Sequence, residues 1–495
     1  MSNPLLLTDF YKTIHHMCYA EGLTKLVSYW TPRMSRKEDI NKVVMFGLQP
    51  FIKKYLIKYF NENFFNRDKQ EVISEYKRVI SKTMGTIAAD TKHIEELYDL
   101  GYLPIQIKAV AEGLRVNIKT PMIEITNTHK DFAWLVNYLE TFMSCNIWQP
   151  MTSASIGYRY REIVEKYFDL TVDNGDVKRA CGDFSMRGFS SLESAEFSGA
   201  AHLLSFIGTA TIPAIDFLEK YYNCNIEDEI VGLGTPSTEH SVMCSYGEDE
   251  YLAYKRLITE VFPSGTLSIV SDTYDYWNVI TKILPRLKED ILNREGKIVI
   301  RGDSGDPVKI ICGDKNATKC SEEYKGTVEL LWEIFGGEIN SKGYKVLNNK
   351  IGTIYGDSIT IERCGEICKG LEEKGFAVNN CVFGIGSYTY QYNTRDTFGF
   401  ALKATHAVIN NEEKFIFKDP KTDSGNFKKS QKGMCYVYKD EEDVLYKDEL
   451  TIKEQEDQKD NLLELVFKDG KLLKDYSLSE IRNRLHKSFE SVKLI

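Results

Sequence analysis

Short β-branched runs alternate with helical stretches between about residues 150 and 390, and each run gives way to a polar turn at its carboxyl end. Leu267-Ser268-Ile269-Val270-Ser271 leads into Asp272, and Lys297-Ile298-Val299-Ile300-Arg301 into Gly302-Asp303-Ser304-Gly305-Asp306-Pro307. Ile351-Gly352-Thr353-Ile354-Tyr355 leads into Gly356-Asp357-Ser358, and a fourth run, Cys381–Ile385, ends on Gly386 and Ser387. Strand, loop and helix in repetition predict an α/β barrel, whose ligands bind where the strands' carboxyl ends open. The intervening helices are Ser190 to Phe206, rich in Ser, Ala and Gly and suited to close packing, and Ile361 to Gly375, with one charged face.

The flanks read differently. Residues 1 to about 150 mix helices with strands: Phe46 to Leu56 opens an aromatic-rich amphipathic helix, Leu103 to Val110 alternates like a half-buried strand, and Asp131 to Trp148 has the apolar spacing of a core helix. After 390 short strands return. Phe467-Lys468-Asp469-Gly470-Lys471-Leu472 has an Asp-Gly hairpin turn, and Ser477-Leu478-Ser479-Glu480 is a capping box opening a last helix. The charged stretch Lys439 to Asp460 is expected to be a solvated surface segment. At 495 residues the chain exceeds what one core usually serves. The expected fold is therefore an α/β one: an incomplete, irregular α/β barrel over 151–390, with a second, mixed β-rich domain built from 1–150 and 391–495.

Charge narrows the partners. A net charge of −9 argues against a general nucleic-acid binder while leaving room for a local basic pocket. The start of the chain, Met1 to Asp9, lacks the basic segment and apolar core of a signal peptide, and no apolar stretch is long enough to span a bilayer. Eleven cysteines are scattered without Cys-x-x-Cys pairs; Cys364 and Cys368 lie four apart, but no histidine pair accompanies them, so reduced thiols in a cytoplasmic protein without nucleic-acid or membrane partners are expected.

The strand-end acids Asp272, Asp303 and Asp357 suit a Mg²⁺-bound polyanion, and the glycine-bearing turn at Gly386 and Ser387 suits a phosphate close to backbone N–H groups. Helix capping is the competing reading of each acid, since Asp and Ser before a helix commonly serve only that purpose.

Together these segments resemble the nicotinamide phosphoribosyltransferase family, of the type II phosphoribosyltransferase fold. The resemblance runs over nearly the whole chain. It rests on Thr8-Asp9-Phe10-Tyr11-Lys12, Asp183-Phe184-Ser185-Met186-Arg187-Gly188, Ser237-Thr238-Glu239-His240-Ser241, Ser271-Asp272-Thr273-Tyr274-Asp275, Arg301 to Pro307, Tyr355-Gly356-Asp357 and Phe417-Lys418-Asp419-Pro420, in that order. It implies a head-to-tail homodimer with active sites at the subunit interface. The implied reaction joins a pyridine ring nitrogen to C1 of phosphoribosyl pyrophosphate and releases pyrophosphate.

By the same resemblance Tyr11, supplied by the partner subunit, and Phe184 sandwich the pyridine, with Arg187 and Arg301 near its substituent. Stacking on both faces suits a flat ring with few hydrogen-bonding atoms. Asp272, Asp303 and Asp357 would hold the ribose hydroxyls and favour developing positive charge on the sugar, while Mg²⁺ neutralises the leaving group. Gly386, Ser387, Arg395, Lys403 and Lys428 match the pocket for the donor's 5′-phosphate, Ser387 replacing a second glycine frequent in relatives. The pair Lys428-Lys429 reads equally as surface charge. Arg33 matches a residue reaching across the dimer interface. His240 matches the histidine that ATP, as co-substrate, phosphorylates, and Glu239 beside it either orients the imidazole or accepts its proton.

One departure stands out. The family carries Asp where this chain has Ala210, and that carboxylate accepts a hydrogen bond from the carboxamide of nicotinamide and repels nicotinate. Nicotinate as acceptor, an ADP-ribose pyrophosphate donor forming NAD directly, and a non-catalytic homologue keeping the fold are the rival readings.

Overall fold

The computed structural model of the chain describes residues 3–356, 358–420 and 429–492, the last five without their side chains. Two of the candidate site residues, Asp357 and Lys428, lie outside the described residues. The chain divides into two compact units, one of 156–216 and 225–392, the other of 1–155, 217–224 and 393–495. The sequence reading kept 151–390 as one block; the structure groups Phe217–Cys224 with the terminal segments.

The first of these units is built on six parallel strands: Cys181–Asp183, Gly208–Thr209, Leu267–Val270, Ile298–Gly302, Ile351–Tyr355 and Cys381–Ile385. In space they run Gly208–Thr209, Cys181–Asp183, Cys381–Ile385, Ile351–Tyr355, Ile298–Gly302, Leu267–Val270. The two edges of that order are bridged by one segment. Leu233 N donates to Ile207 O at 2.6 Å and Thr209 N to Leu233 O at 2.9 Å. On the far side Ser268 N donates to Pro236 O at 2.9 Å and Thr238 N to Ser268 O at 3.0 Å. The ring therefore closes in sequence order, as in an α/β barrel. This bridging stave is the irregular one, because Gly232 and Gly234 weaken a strand and Pro236 has no N–H for a ladder. Ile269, Val270, Ile298, Ile300, Ile351, Phe383 and Ile385 are buried in its strands.

The second unit holds a seven-stranded antiparallel sheet drawn from both chain ends, in the order Glu412–Phe415, Ala401–Ile409, Leu23–Thr31, Ile123–Asn127, Ile105–Ala109, Glu464–Lys468, Lys471–Leu472. In Ile105–Ala109 the expected alternation holds: Ile105, Ile107 and Ala109 are buried while Gln106 and Lys108 are half-buried. The hairpin at Asp469-Gly470 has positive φ at both turn residues, 48° and 77°, as a type I′ turn requires. Ser477 caps the helix Leu478–Val492 reciprocally with Glu480.

Three local readings change. Asp131 to Trp148 is not one helix: a turn at Lys130–Phe132 precedes the helix Ala133–Tyr138, and a longer helix, Glu140–Thr171, follows. The helix opening at Leu48 takes wider i→i+5 turns from Ile52 to Tyr59 and from Asn61 to Phe65. The charged stretch 439–460 stays at the surface as expected but takes regular structure, pairing Met434–Asp440 with Asp443–Leu450 and ending in the helix Ile452–Glu456. Buried Val444 and Gln455 anchor it, with Gln455 Nε2 donating to Glu124 Oε2 at 2.6 Å and to Cys435 O at 2.7 Å.

Candidate active site

Three adjacent barrel staves bring their carboxyl-end residues together. Arg301, still within its strand, forms a forked ion pair with Asp303 just beyond it: Nε donates to Oδ1 at 2.9 Å and Nη2 to Oδ2 at 2.6 Å. Such planar two-bond pairing fixes the orientation of both groups. The backbone N–H of Asp303 donates to Asp272 Oδ2 at 2.9 Å, and the Ser304 hydroxyl donates to the same oxygen. Asp272 Oδ1 is buried and has no hydrogen-bond partner among the described residues. Buried carboxylate oxygens are rarely left so, and the lone pair marks a place for a donor or cation.

His240 faces these acids from the irregular stave. Thr238 Oγ1 accepts from Val270 N at 3.0 Å, which pins the segment to the neighbouring strand. His240 Nε2 then lies 3.9 Å from both Asp272 Oδ1 and Asp303 Oδ2, and its Nδ1 is 3.2 Å from Thr273 Oγ1. Ligand atoms of His240, Asp272 and Asp303 lie within 4.8 Å of one another. Glu239 is turned elsewhere, its carboxylate accepting from the Ser241 hydroxyl.

Helix capping does not account for Asp272 or Asp303. The helices that follow are capped by other acids: Asp275 Oδ1 accepts from Asn278 N and Asp306 Oδ1 from Val308 N, both at 3.0 Å. Each loop thus carries one acid for its helix and another for the site.

Phe184 lies beside this array, with the Arg301 guanidinium 5.9 Å from its ring centroid. Its N–H donates to Ile385 O at 2.9 Å. Room for the ring depends on glycine: a Cβ on Gly384 would come to 2.6 Å from Phe184 Cδ2, and one on Gly182 to 3.5 Å from the ring. Asp183, fully buried, ties the neighbouring turns together. Its carboxylate accepts from Ser185 N at 3.0 Å, from the Ser185 hydroxyl and from Thr211 Oγ1 at 2.6 Å, while its carbonyl accepts from Ala210 N at 2.8 Å. Phe184 and Ala210 are therefore positioned through one residue, with Ala210 exposed just past its strand. Arg187 is exposed on the next turn. The Ser387 hydroxyl occupies the space a Cβ on Gly188 would take, so Ser387, beside Gly386, packs onto that turn.

The terminal unit gathers a cationic set of its own. Lys12, buried, pairs with Glu140, and Lys403 Nζ lies 3.6 Å from the same carboxylate. Burial lowers the Lys403 pKa, and the charges of Arg33, Lys12 and Arg395 push it the same way against Glu140. Tyr11 is 54% exposed near this group, and burial, Glu140 and Asp9 raise its pKa against the opposing charge of Arg395. Arg33 Nε donates to Gly399 O at 2.9 Å.

Residues that sequence reasoning did not single out support the site. Asp183 and Lys12 stand inside the quoted motifs, where position in the motif was the available signal. Gly356 is another: a Cβ there would overlap Asp303 Oδ1 and come to 2.8 Å from Arg301 Nε. Glu250 had no sequence signal. It is buried, its Oε1 lacks a partner among the described residues, and burial with the charges of Asp275 and Asp272 raises its pKa to about 7.

Comparison with known proteins bears on what this array belongs to. The sequence pattern of the nicotinate phosphoribosyltransferase family matches residues 180–471, and that of the nicotinamide phosphoribosyltransferase N-terminal domain matches residues 3–107. A nicotinamide phosphoribosyltransferase of Acinetobacter baylyi is 47% identical over 99% of this chain and 98% of its own length. The chain belongs to the nicotinamide phosphoribosyltransferase family. One from Mycoplasma pneumoniae is 34% identical over 85% of this chain and 92% of its own. The fold is shared with a solved nicotinate-nucleotide pyrophosphorylase of Pyrococcus furiosus, with a TM-score of 0.58 at 14% identity, covering 99% of this chain and 97% of that one.

Within this family member the space at Gly356 should be indispensable. Its φ is not left-handed, so the restriction is steric. Gly356→Ala is expected to push Asp303 off Arg301 and lower kcat/KM at least about tenfold with the fold retained, since a misplacement of about 1 Å near reacting groups can cost that much or more. Steady-state kinetics with a thermal melt check it; unchanged kcat/KM would show that the fork does not need that space.

Proposed function

We propose that the protein transfers the phosphoribosyl group of phosphoribosyl pyrophosphate to nicotinamide, forming nicotinamide mononucleotide and pyrophosphate in NAD salvage. The observation that carries this reading is the Arg301–Asp303–Asp272 array set beside the glycine-cradled face of Phe184. The pyridine nitrogen attacks C1 of the ribose, the bond from C1 to the pyrophosphate oxygen breaks, and the leaving group takes the electron pair. Phe184 offers one face for stacking, and Arg301, held by Asp303 with its guanidinium 5.9 Å from the Phe184 ring centroid, is a donor for a carbonyl substituent of the stacked ring. Asp303 and Asp272 place negative charge where the ribose becomes positive. Tyr11 from the partner subunit of a homodimer, in which active sites are shared, closes the other face. Relatives' names favour nicotinamide over nicotinate and supply no support for an ADP-ribose pyrophosphate donor.

The partnerless, buried Asp272 Oδ1 fits an Mg²⁺ ion, with Asp272 and Asp303 as its oxygen ligands. Bound there, Mg²⁺ neutralises charge on the departing pyrophosphate. Gly386 and Ser387 offer backbone and hydroxyl donors to a phosphate, and Arg33, Arg395 and Lys403 are cations of the kind the donor's phosphate requires, as is Lys428. Arg187 faces solvent, where it can meet an anionic substrate. His240 takes the γ-phosphoryl group of ATP, releasing ADP. Its imidazole is bonded to Thr273 and faces the two acids at 3.9 Å, and Glu239 shapes the same segment from its bond to Ser241. Among the described residues no helix is long and apolar enough to cross a membrane. We place the enzyme in the cytoplasm, with no nucleic-acid or membrane partner.

Ala210 gives the acceptor test. A methyl group accepts no hydrogen bond, so a charge-assisted bond worth about 1.5–3 kcal/mol is absent, about ten- to a hundredfold in affinity. A water bridging to the carboxamide would replace part of it. Ala210→Asp is expected to raise the ratio of kcat/KM for nicotinamide over nicotinate at least about tenfold. An unchanged ratio would mean that Ala210 does not face the pyridine substituent.

A further inference from the structure

The helix Ser387–Gln391 begins at the turn, Gly386 and Ser387, assigned above to the donor's phosphate. Five residues close little more than one helical turn, and so short a helix does not hold itself in place in water. Its position comes from the side chains on its inner face.

Tyr390 is the deepest of these. It is fully buried, whereas Tyr388 and Tyr392 on either side are exposed. Its hydroxyl lies 2.7 Å from Nδ1 of His202, also fully buried, and the two rings meet edge-on with centroids 6.0 Å apart. Phe206 stacks on the other side of the His202 contact, with centroids 5.2 Å and planes 29° apart, and fixes the imidazole's orientation. The residue before Tyr390 adds a second tie. The Tyr160 hydroxyl donates to Ile359 O at 2.7 Å, so its oxygen is left to accept from Thr389 Oγ1 at 3.1 Å.

His202 is the last residue of the helix Leu192–His202, and Gly199 lies three residues before it on the same face. Gly199 packs against the bond between Asp183 and Thr211: a Cβ there would come to 3.1 Å from Thr211 Cγ2 and 3.2 Å from Asp183 Oδ2. Asp183 is the residue through which Phe184 and Ala210 are positioned. One helix therefore touches the turn carrying Phe184 directly and the turn at Gly386 through Tyr390. Transfer needs that spacing held, because the pyridine nitrogen and C1 of the ribose react only when about 3–3.5 Å apart.

We infer that His202 and Tyr390 are positioning residues that register the phosphate turn against the turn carrying Phe184, and that they govern affinity for the phosphoribosyl donor rather than for the pyridine. The inference rests on the phosphoribosyl-transfer reading above and deepens it. Both residues are buried, so they act through Gly386 and Ser387 and not on substrate. Removing the Tyr390 hydroxyl leaves a buried imidazole nitrogen without that bond, and the short helix loses its deepest anchor.

The test is steady-state kinetics of the full-length protein, Tyr390→Phe, His202→Leu and the double variant, with each substrate varied in turn and thermal melts beside them. Each single variant is expected to raise KM for phosphoribosyl pyrophosphate at least about fivefold and to move KM for nicotinamide by less than about twofold. The double variant is expected to be no worse than the poorer single one, because both remove the same bond. His202→Asn, whose side-chain amide can stand in for Nδ1, is expected to restore part of the donor affinity, and with Tyr390→Phe it carries the test if His202→Leu does not fold. A purely structural role would lower the melting temperature and the active fraction and leave both KM values unchanged. No ring transfer by the unaltered protein would overturn the phosphoribosyl-transfer reading itself. Ring transfer by the unaltered protein, with the donor KM unchanged in folded Tyr390→Phe or with both KM values raised alike, would overturn the positioning role alone.

Discussion

His240→Ala is expected to abolish ATP hydrolysis and to weaken, without eliminating, transfer to nicotinamide. The imidazole sits 3.9 Å from Asp272 Oδ1 and from Asp303 Oδ2, with Thr273 Oγ1 3.2 Å from its other nitrogen, a half-exposed setting that suits the proposed nucleophile better than a buried structural ring. It is 49% exposed, which leaves a triphosphate free to approach. On the proposed mechanism ring transfer depends on the array around Arg301 and Phe184, which the substitution leaves in place. ADP release with and without nicotinamide, beside a direct assay of ring transfer, separates the two activities. Retained ATP hydrolysis in the variant would remove His240 from this role.

Asp303→Ala is expected to lower turnover at least about tenfold while the fold persists, the scale seen when a preorganised charge is removed from a reacting site. The change takes away both halves of the Arg301 fork and leaves the guanidinium, with its side chain 21% exposed, without that partner. On the proposed mechanism it also removes a carboxylate that would face the developing positive charge on the ribose. The Asp303 backbone N–H to Asp272 Oδ2 remains, so the loop keeps its anchor. Asp303→Asn keeps the shape and part of the bonding but not the charge, and it should fall between the two. Rapid-quench turnover with a thermal melt reads both effects, and a stable Asp303→Ala protein with normal turnover would contradict the assignment.

The parts of the site that were legible in the sequence share one property: they stand where a β-branched run stops. Val270 and Gly302 end strands, and Asp272 and Asp303 just after them are forced to the same rim by parallel pairing. Choosing between a site acid and a capping acid was harder, because composition treats Asp272 and Asp275 alike. The structure separates them by which backbone N–H each carboxylate reaches. The stave joining Leu233 to Ser268 was illegible because Gly232, Gly234 and Pro236 read as a loop; its pairing is imposed by the two strands it bridges. Val444 and Gln455 lie in a stretch so charged that their burial against the sheet left no compositional trace. Nothing in the apolar spacing marks the break between Tyr138 and Glu140. Glu250 was invisible for a related reason, since its raised pKa depends on acids brought near it only by folding.

Mass spectrometry of the product formed by the purified protein tests the central claim most directly. The protein is incubated with nicotinamide or nicotinate, each with phosphoribosyl pyrophosphate or with ADP-ribose pyrophosphate, in Mg²⁺ with and without ATP. The account predicts nicotinamide mononucleotide, with pyrophosphate in equal amount, as the main product, formed faster with ATP. NAD formed in a single step from ADP-ribose pyrophosphate, nicotinate mononucleotide as the preferred product, or no ring transfer from any donor would contradict it.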